Sequence, residues 1–204
     1  LIQGYAEGLK DGITDDPEST GFYCDVIIDE AAKMNNMVKQ LLTLNQLESG
    51  NDPLTIERFD IAKHIDELAR TNRIRAQQKE AEILYDYVKP EYVWADQFKI
   101  EEVITNYISN AINHVESLGG EKAYIKIWLG KAGLNDKKVR IHVFNTGKHI
   151  PENDIDKIWD KFYKVDKART REYGGSGVGL SIVKAIMNSH NQKCGADNVE
   201  NGNS

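Results

Sequence analysis

Cysteine and long apolar runs are scarce in this sequence. Its two cysteines, Cys24 and Cys194, lie far apart and have no spacing typical of a metal site. This pattern excludes a disulfide framework and fits a reducing compartment with unpaired thiols. No apolar run approaches the roughly 20 residues that a bilayer-spanning helix needs, and no signal peptide pattern is present. We therefore expect a soluble segment, and the sequence leaves open that its parent protein spans a membrane.

Basic residues are also fewer than acidic residues in this sequence. Lysine and arginine number 26 against 32 aspartate and glutamate residues, which gives a net charge of -6. A nucleic-acid-binding domain would be expected to carry a basic stripe, so this balance argues against DNA or RNA as a partner. Hydrophobic residues make up 40% of the 204 residues, enough for one sizeable core and a smaller element.

The first fifty residues have the periodicity of a helical hairpin. Apolar residues recur at helical spacing over residues 1–12, and Asp15 or Asp16 before Pro17 signals the start of a second helix that extends to about Leu47. One hairpin cannot bury both of its apolar stripes, so pairing with another hairpin is expected. The turn-forming residues 49–53 predict a linker, which divides the chain into domains at 1–50 and 51–204.

Helical and strand patterns are intermixed beyond this linker, which predicts an α+β protein with a two-layer α/β sandwich. Residues 123–129 and 139–144 alternate across a turn, as in an antiparallel hairpin with one buried face. The other predicted elements are strands at 54–59, 81–88 and 91–95, a helix at 61–78 with Ile61, Ile65, Leu68 and Ile74 inward, and a helix at 97–115.

The helix at 97–115 carries an unusual polar stripe opposite a broad apolar face. Asn106 and Asn110 are one turn apart, although asparagine is a poor helix former because its amide competes for backbone hydrogen bonds. The amide oxygen of Asn110 is a suitable ligand for Mg²⁺, which prefers oxygen and usually retains waters beside substrate phosphates. Taken alone, the stripe is better explained as a solvated helix face.

Two turn motifs follow the predicted hairpin. Residues 145–151, NTGKHIP, leave a strand and turn at Gly147, where a polar group at the strand end suits base recognition. Residues 173–183, YGGSGVGLSIV, place glycines before an apolar helix, an arrangement in which backbone N–H groups approach phosphate oxygens. An ordinary turn and a flexible hinge are the alternatives. A basic run precedes the second motif and alone would indicate a solvated face: Lys161, Lys164, Lys167, Arg169 and Arg171.

Taken together and in this order, these motifs resemble the catalytic ATP-binding domain of sensor histidine kinases, which have the Bergerat fold of gyrase-type and Hsp90-type ATPases. The N box corresponds to residues 106–114, the first glycine box to 145–151, the F box to 159–163 and the second glycine box to 175–180. The first helices resemble the dimerising, phosphotransfer hairpin of this family. The resemblance implies the histidine-kinase ATPase fold preceded by a truncated helical hairpin.

The resemblance also implies roles for individual residues, with ATP and Mg²⁺ as cofactors. Asn110 holds magnesium, Asn145 reads the adenine amino group, and Arg169 and Arg171 lie in a lid over ATP. The catalytic residues are Asn106, Asn110, Arg169 and Arg171. The cofactor-binding residues are Asn110, His114, Asn145, Gly147, Ile150, Phe162, Gly175, Gly177, Val178, Gly179 and Leu180.

One position separates a kinase from a hydrolase in this family. Hydrolytic relatives carry a glutamate one turn before the magnesium asparagine, where it acts as general base on water, and here that position is Asn106. Three residues depart from the usual pattern. Asn145 replaces an aspartate, His149 replaces a glycine, and Asn113 stands where a basic residue is common.

The phosphoacceptor motif is missing. None of the 5 histidines lies in a His-Glu/Asp-x-x-x-Pro context, and the resemblance places that motif before Leu1 and a final strand after Ser204. We therefore expect the cytoplasmic part of a membrane-anchored sensor that forms homodimers through its hairpin and relays phosphate to a response regulator. The alternatives are a hydrolase of the same fold, such as a chaperone or topoisomerase module, and a degenerate module that only dimerises.

Overall fold

The computed structural model describes residues 1–12, 16–50, 52–85, 89–131, 138–165 and 176–204. The chain divides into two compact units, Leu1–Asn45 and Gln46–Ser204. The functions predicted for the domains at 1–50 and 51–204 stay predictions. Within the described residues, no helix combines the length and apolarity required to cross a membrane.

The smaller unit contains two helices, α1 (Ile2–Lys10) and most of α2 (Pro17–Glu48). The Asp16 carboxylate accepts a hydrogen bond from the Ser19 N–H at 2.8 Å, as expected for a residue at a helix start. The ring of Tyr5 on α1 lies edge-on to the ring of Tyr23 on α2, with centroids 4.9 Å apart. The predicted pair of N-terminal helices is therefore confirmed, and Asp15 lies outside the described residues.

The larger unit has strands and helices in mixed order. Two short 3-10 helices, Glu152–Asp154 and Lys157–Trp159, follow its longest strands. The remaining elements are β1 (Ile56–Asp60), α3 (Ile61–Gln77), β2 (Glu82–Leu84), β3 (Tyr92–Asp96), α4 (Gln97–His114), β4 (Tyr124–Lys131), β5 (Val139–Thr146), α5 (Gly179–Ser189), β6 (Asn198–Val199) and β7 (Gly202–Asn203).

The strands of this unit form two sheets. Five of them are ordered β2-β4-β5-β7-β6, and β1 pairs with β3 in a separate antiparallel ribbon. The predicted hairpin of β4 and β5 is antiparallel, with Ile125 opposite Asn145 and Lys131 opposite Val139. This register carries β5 to its end at Thr146, so the first glycine box begins at the end of a central strand.

The core lies among α3, α4 and the strands. The inward face of α4 matches the predicted apolar stripe, and the residues it buries are Val103, Ile104, Ile108, Ala111 and Ile112. With this stripe in the core, the asparagine side of α4 is left for other contacts.

Two details of the predicted elements are wrong. Ile74 is 69% exposed, because a residue thirteen positions after Ile61 at about 100° per residue lies on the opposite side of α3. The strand predicted at 81–88 is observed at Glu82–Leu84 without Ala81 and Tyr85, and residues 86–88 lie outside the described part. No strand was predicted within the C-terminal NVENGNS, which forms β6 and β7.

Asp96 joins three segments at the start of α4. One carboxylate oxygen accepts from the Lys99 N–H at 3.1 Å, and the other accepts from the Thr55 N–H at 2.9 Å. The Asp96 N–H donates to Nε2 of His190, which follows α5, at 3.1 Å. Burial by itself would raise the pKa of Asp96, but the two backbone hydrogen bonds and the charge of Lys99 outweigh burial and lower it.

We expect Asp96→Ala to lower the free energy of unfolding by about 1–2 kcal/mol at neutral pH, because two backbone donors lose their acceptor. A carboxyl whose pKa is lower in the folded state stabilises the fold above the unfolded pKa and loses this effect as the pH falls. The difference from wild type should therefore shrink below about pH 4. Urea denaturation at several pH values measures it, with the exposed Asp156→Ala as control; a pH-independent difference would contradict the assignment.

Candidate functional site

The asparagine face of α4 meets the second glycine box at its last glycine. A Cβ atom added to Gly179 would lie 2.6 Å from Oδ1 of Asn106. Nδ2 of Asn106 donates to the Glu102 carbonyl at 2.9 Å, which holds this amide on the helix. The start of α5 therefore lies against α4, a side chain at position 179 would displace the Asn106 amide, and two motifs far apart in sequence become neighbours.

Asn110 lies one helical turn beyond Asn106 and is partly exposed. Within the described ranges, its side chain takes part in no hydrogen bond, so its amide oxygen remains available as an acceptor or metal ligand. A committed amide and an uncommitted amide thus follow each other along the same face of α4.

The F box is joined to the second glycine box through the backbone. The Phe162 N–H donates to the Gly177 carbonyl at 2.8 Å. Gly177 has a φ of +72°, a conformation that favours glycine, and an added Cβ would lie 3.0 Å from Cα of Phe162 and 3.2 Å from Cε of Lys164. The turn is therefore closely covered by the chain from Phe162 to Lys164, and Lys164 brings a positive charge to it.

The first glycine box lies at the C-terminal end of α4. A Cβ on Gly147 would approach the His114 carbonyl to 2.6 Å, so only glycine permits this contact with the end of α4. Asn145 is buried, and its Nδ2 donates to the Thr146 carbonyl at 3.1 Å. Among the residues that the structure describes, none donates a hydrogen bond to Oδ1 of Asn145, which leaves that oxygen as an acceptor.

The other predicted site residues have different surroundings. Ile150 and Leu180 are half-buried, His114 and Phe162 are exposed, and Val178 is fully buried. Arg169, Arg171 and Gly175 lie outside the described residues. In the described part of the chain, no group of three or more His, Cys, Asp and Glu side chains has a metal-binding arrangement.

A carboxyl group accompanies the asparagines on α4. Burial raises the pKa of Glu102, and the positive charge of Lys99 one turn earlier opposes this shift. Its backbone carbonyl is the acceptor for Asn106. Burial thus favours the neutral form of the Glu102 carboxyl, while its backbone carbonyl holds the Asn106 amide.

The sequence interpretation missed the C-terminal hairpin of β6 and β7 as part of this region. Asn198 and Asn203 direct their side-chain amides to the backbone of residues 148–150, within the first glycine box. The density of asparagine in NVENGNS was the available signal. It gave no partner, because side-chain amides serve equally well in exposed turns.

Comparison with known proteins identifies this combination of motifs. A family model described as histidine kinase-, DNA gyrase B- and HSP90-like ATPase matches residues 95–204, more than half of the chain. The chain belongs to this ATPase family. The sensor protein kinase WalK of Staphylococcus aureus is 32% identical over 200 residues, which cover 98% of this chain and 46% of WalK. The chain thus spans less than half the length of WalK, its curated relative.

Solved structures agree with this family assignment. Histidine kinase ThkA, crystallised in complex with response regulator protein TrrA, is 27% identical with a TM-score of 0.73, and the match covers 99% of this chain and 54% of ThkA. Acinetobacter baumannii histidine kinase AdeS matches 92% of this chain and 82% of its own at 21% identity and a TM-score of 0.71, which supports the fold alone. The predicted sensor-histidine-kinase ATP-binding domain and its α+β fold are confirmed.

Proposed function

We propose that this ATPase-family chain binds Mg-ATP and transfers the γ-phosphoryl group to a histidine of a sensor histidine kinase. The observation that carries the proposal is the contact between Asn106 on α4 and Gly179 at the start of α5. This contact supports the amide-bearing helix and the glycine turn as neighbouring walls of one site. Phosphoryl transfer depends mainly on positioning and on neutralising charge, which such a site provides.

Magnesium fits the side chain that we assign to it. Asn110 offers an uncommitted amide oxygen one helical turn from Asn106, which lies beside Gly179, and Mg²⁺ takes one or two protein oxygens together with phosphate oxygens and water. When bound, the ion neutralises charge on the β- and γ-phosphates. Asn106 has a different part, since its amide is held by Glu102 and shapes the wall against Gly179.

The phosphates are proposed to bind at the start of α5. The first N–H groups of a helix lack partners within the helix and carry partial positive charge, so they bind anions. Gly177 and Gly179 allow close approach of the backbone, and Lys164 supplies a cation beside Gly177. We assign Arg169 and Arg171 to the lid, with Gly175, Val178 and Leu180 contributing from the glycine box.

The adenine is proposed to bind at the end of β5. Oδ1 of Asn145 accepts a hydrogen bond from the adenine amino group, since its Nδ2 is already committed to the Thr146 carbonyl. This arrangement lets the neutral amide replace the usual aspartate as an acceptor. Gly147, Ile150, His114 and Phe162 complete the contacts that we assign to the nucleotide.

Asn106 favours transfer to a protein over hydrolysis. An amide at this position does not take a proton from water, so bound ATP lacks the general base used by hydrolytic relatives. The γ-phosphoryl group therefore passes to an imidazole nitrogen when a histidine is presented, and ADP leaves. The site holds the nucleotide until that encounter.

The partners follow from the same proposal. Apolar residues of α2 remain largely exposed in the chain, with Met34, Val38 and Leu42 exposed by 59%, 53% and 59% at four-residue spacing. A second copy of the hairpin is proposed to cover them and form a homodimer. ThkA, crystallised with a response regulator, supports a response regulator as the recipient of the phosphoryl group. A cytoplasmic position in a membrane-anchored sensor is part of this proposal.

Radiolabelled transfer tests the proposed activity. With [γ-³²P]ATP and Mg²⁺, we expect this chain to label a separately expressed histidine-bearing hairpin of the WalK type, with acid-labile and base-stable phosphate. The chain itself should stay unlabelled, because its five histidines lie outside a phosphoacceptor motif. Replacing the acceptor histidine of the added hairpin with alanine is the matched control and should remove the label.

The same assay separates the alternatives. Steady phosphate release without labelled hairpin would favour a hydrolase. Absence of Mg-ATP binding by calorimetry, together with retained self-association, would favour a module that only dimerises. Stable label on this chain itself would contradict the assignment of its histidines.

A further inference from the structure

The C-terminal hairpin contacts the first glycine box through the side chain of Asn198, which bonds the backbone of Ile150 as a neighbouring strand would. Oδ1 of Asn198 accepts from the Ile150 N–H at 2.8 Å, and Nδ2 of Asn198 donates to the Ile150 carbonyl at 2.7 Å. A single carboxamide therefore satisfies both backbone groups of one residue. This pairing depends on both functional groups of the asparagine, an acceptor and a donor.

The rest of the hairpin holds the residues on either side. Nδ2 of Asn203 donates to the Lys148 carbonyl at 2.8 Å, and its Oδ1 lies 3.2 Å from the Ile150 nitrogen as a second acceptor. The Gly147 N–H donates to the Asn201 carbonyl at 3.2 Å. Nε2 of His149, which replaces the usual glycine, donates to the Val199 carbonyl at 2.9 Å. Hydrogen bonds thus reach every residue from Gly147 to Ile150.

The same hairpin is paired with the strand that carries Asn145. Asn145 lies opposite Asn203, and Thr146 lies opposite Gly202, in the antiparallel pairing of β5 with β7. Asn203 therefore contacts the strand end by its backbone and the loop after it by its side chain. Any shift of β7 moves the loop and the strand end together.

We propose that Asn198 and Asn203 are positioning residues for base recognition, holding residues 145–150 so that adenine is preferred over guanine. This inference rests on the proposed function, in which Asn145 accepts from the adenine amino group. Guanine presents a carbonyl oxygen at the corresponding position, so an oxygen acceptor held in place disfavours it. A loop that moves freely loses this discrimination because Asn145 and its surroundings adjust to either base.

Nucleotide binding by the full 204-residue chain tests the inference. We expect Asn198→Ala and Asn203→Ala to weaken Mg-ATP binding by about 5–20-fold, while Mg-GTP binding changes little, so the preference for ATP falls. Asn188→Ala, which changes an exposed asparagine on α5, should keep the wild-type preference. Hydrogen exchange of the Ile150 amide should accelerate in Asn198→Ala, which reports on the loop without nucleotide.

The outcomes are distinguishable. Unchanged ATP and GTP affinities, or equal losses for both, would overturn the inference, since a purely structural brace does not discriminate between bases. If Asn198→Ala melts below the assay temperature, Asn198→Asp decides by the same ratio, because it keeps the acceptor for the Ile150 N–H and loses the donor. Failure of the wild-type chain to bind Mg-ATP would overturn the proposed function and this inference together, whereas wild-type binding with unaltered variants overturns this inference alone.

Discussion

Asn110→Ala is expected to weaken Mg-ATP binding by on the order of 100-fold, with little change in the stability of the fold. The substitution removes the amide oxygen assigned to Mg²⁺ and leaves the apolar face of α4 intact. Alanine is a better helix former than asparagine, so α4 itself loses nothing. Calorimetry with ATP in the presence of Mg²⁺ or EDTA measures the effect.

The metal dependence is the diagnostic part of this experiment. In the wild-type chain Mg²⁺ should strengthen ATP binding, and in Asn110→Ala this gain should disappear. Asn110→Asp should also bind poorly, because it places an added negative charge beside the triphosphate. Thr105→Ala, at an exposed position of the same helix, is the control. Wild-type affinity in Asn110→Ala would remove Asn110 from its proposed role.

Gly202→Ala is expected to lower the free energy of unfolding by about 3 kcal/mol, the largest effect on stability among the substitutions considered. An added Cβ would overlap the Asn145 carbonyl oxygen and would approach the Phe144 ring to 2.7 Å. A backbone oxygen in a paired strand has no room to move aside, so β7 must separate from β5. For a unit of this size, the melting temperature should fall by roughly 6–12 °C.

Differential scanning calorimetry of Gly202→Ala measures this loss. Gly195→Ala is the matched control, because a Cβ at that position would meet nothing within 4 Å. The separation of β7 should also release the first glycine box and weaken ATP binding. A melting temperature like that of Gly195→Ala would show that the close packing of β5 and β7 relaxes at little cost.

Much of the fold was predictable because its signals are local. The helical period of α4 identified its buried face, and alternation identified β4 and β5. The helical period also placed Ile74 of α3 inward, but this apolar residue lies on the exposed side. Short strands were harder, since β6 and β7 have two residues each and no alternation to read.

The components of the site were predictable as motifs, but the contacts between them were not. Glycine at 179 has two explanations in the sequence, a phosphate turn or a hinge, and the proximity of Asn106 adds a packing reason for it. By residue type alone, Asn145 is a weak substitute for aspartate, but in the structure its Nδ2 donates to the Thr146 carbonyl. The available oxygen follows from that bond, which residue type alone does not reveal.

Periodicity and turn chemistry act over a few neighbouring residues, so the sequence alone determined an α+β domain with a helix of amides and two glycine turns, and the order of these motifs carried its resemblance to the ATPase family. Only the tertiary structure decided that Asn106 meets Gly179 and that Asn198 holds Ile150. Those contacts join residues distant in sequence, and they depend on packing and strand pairing that no short segment specifies.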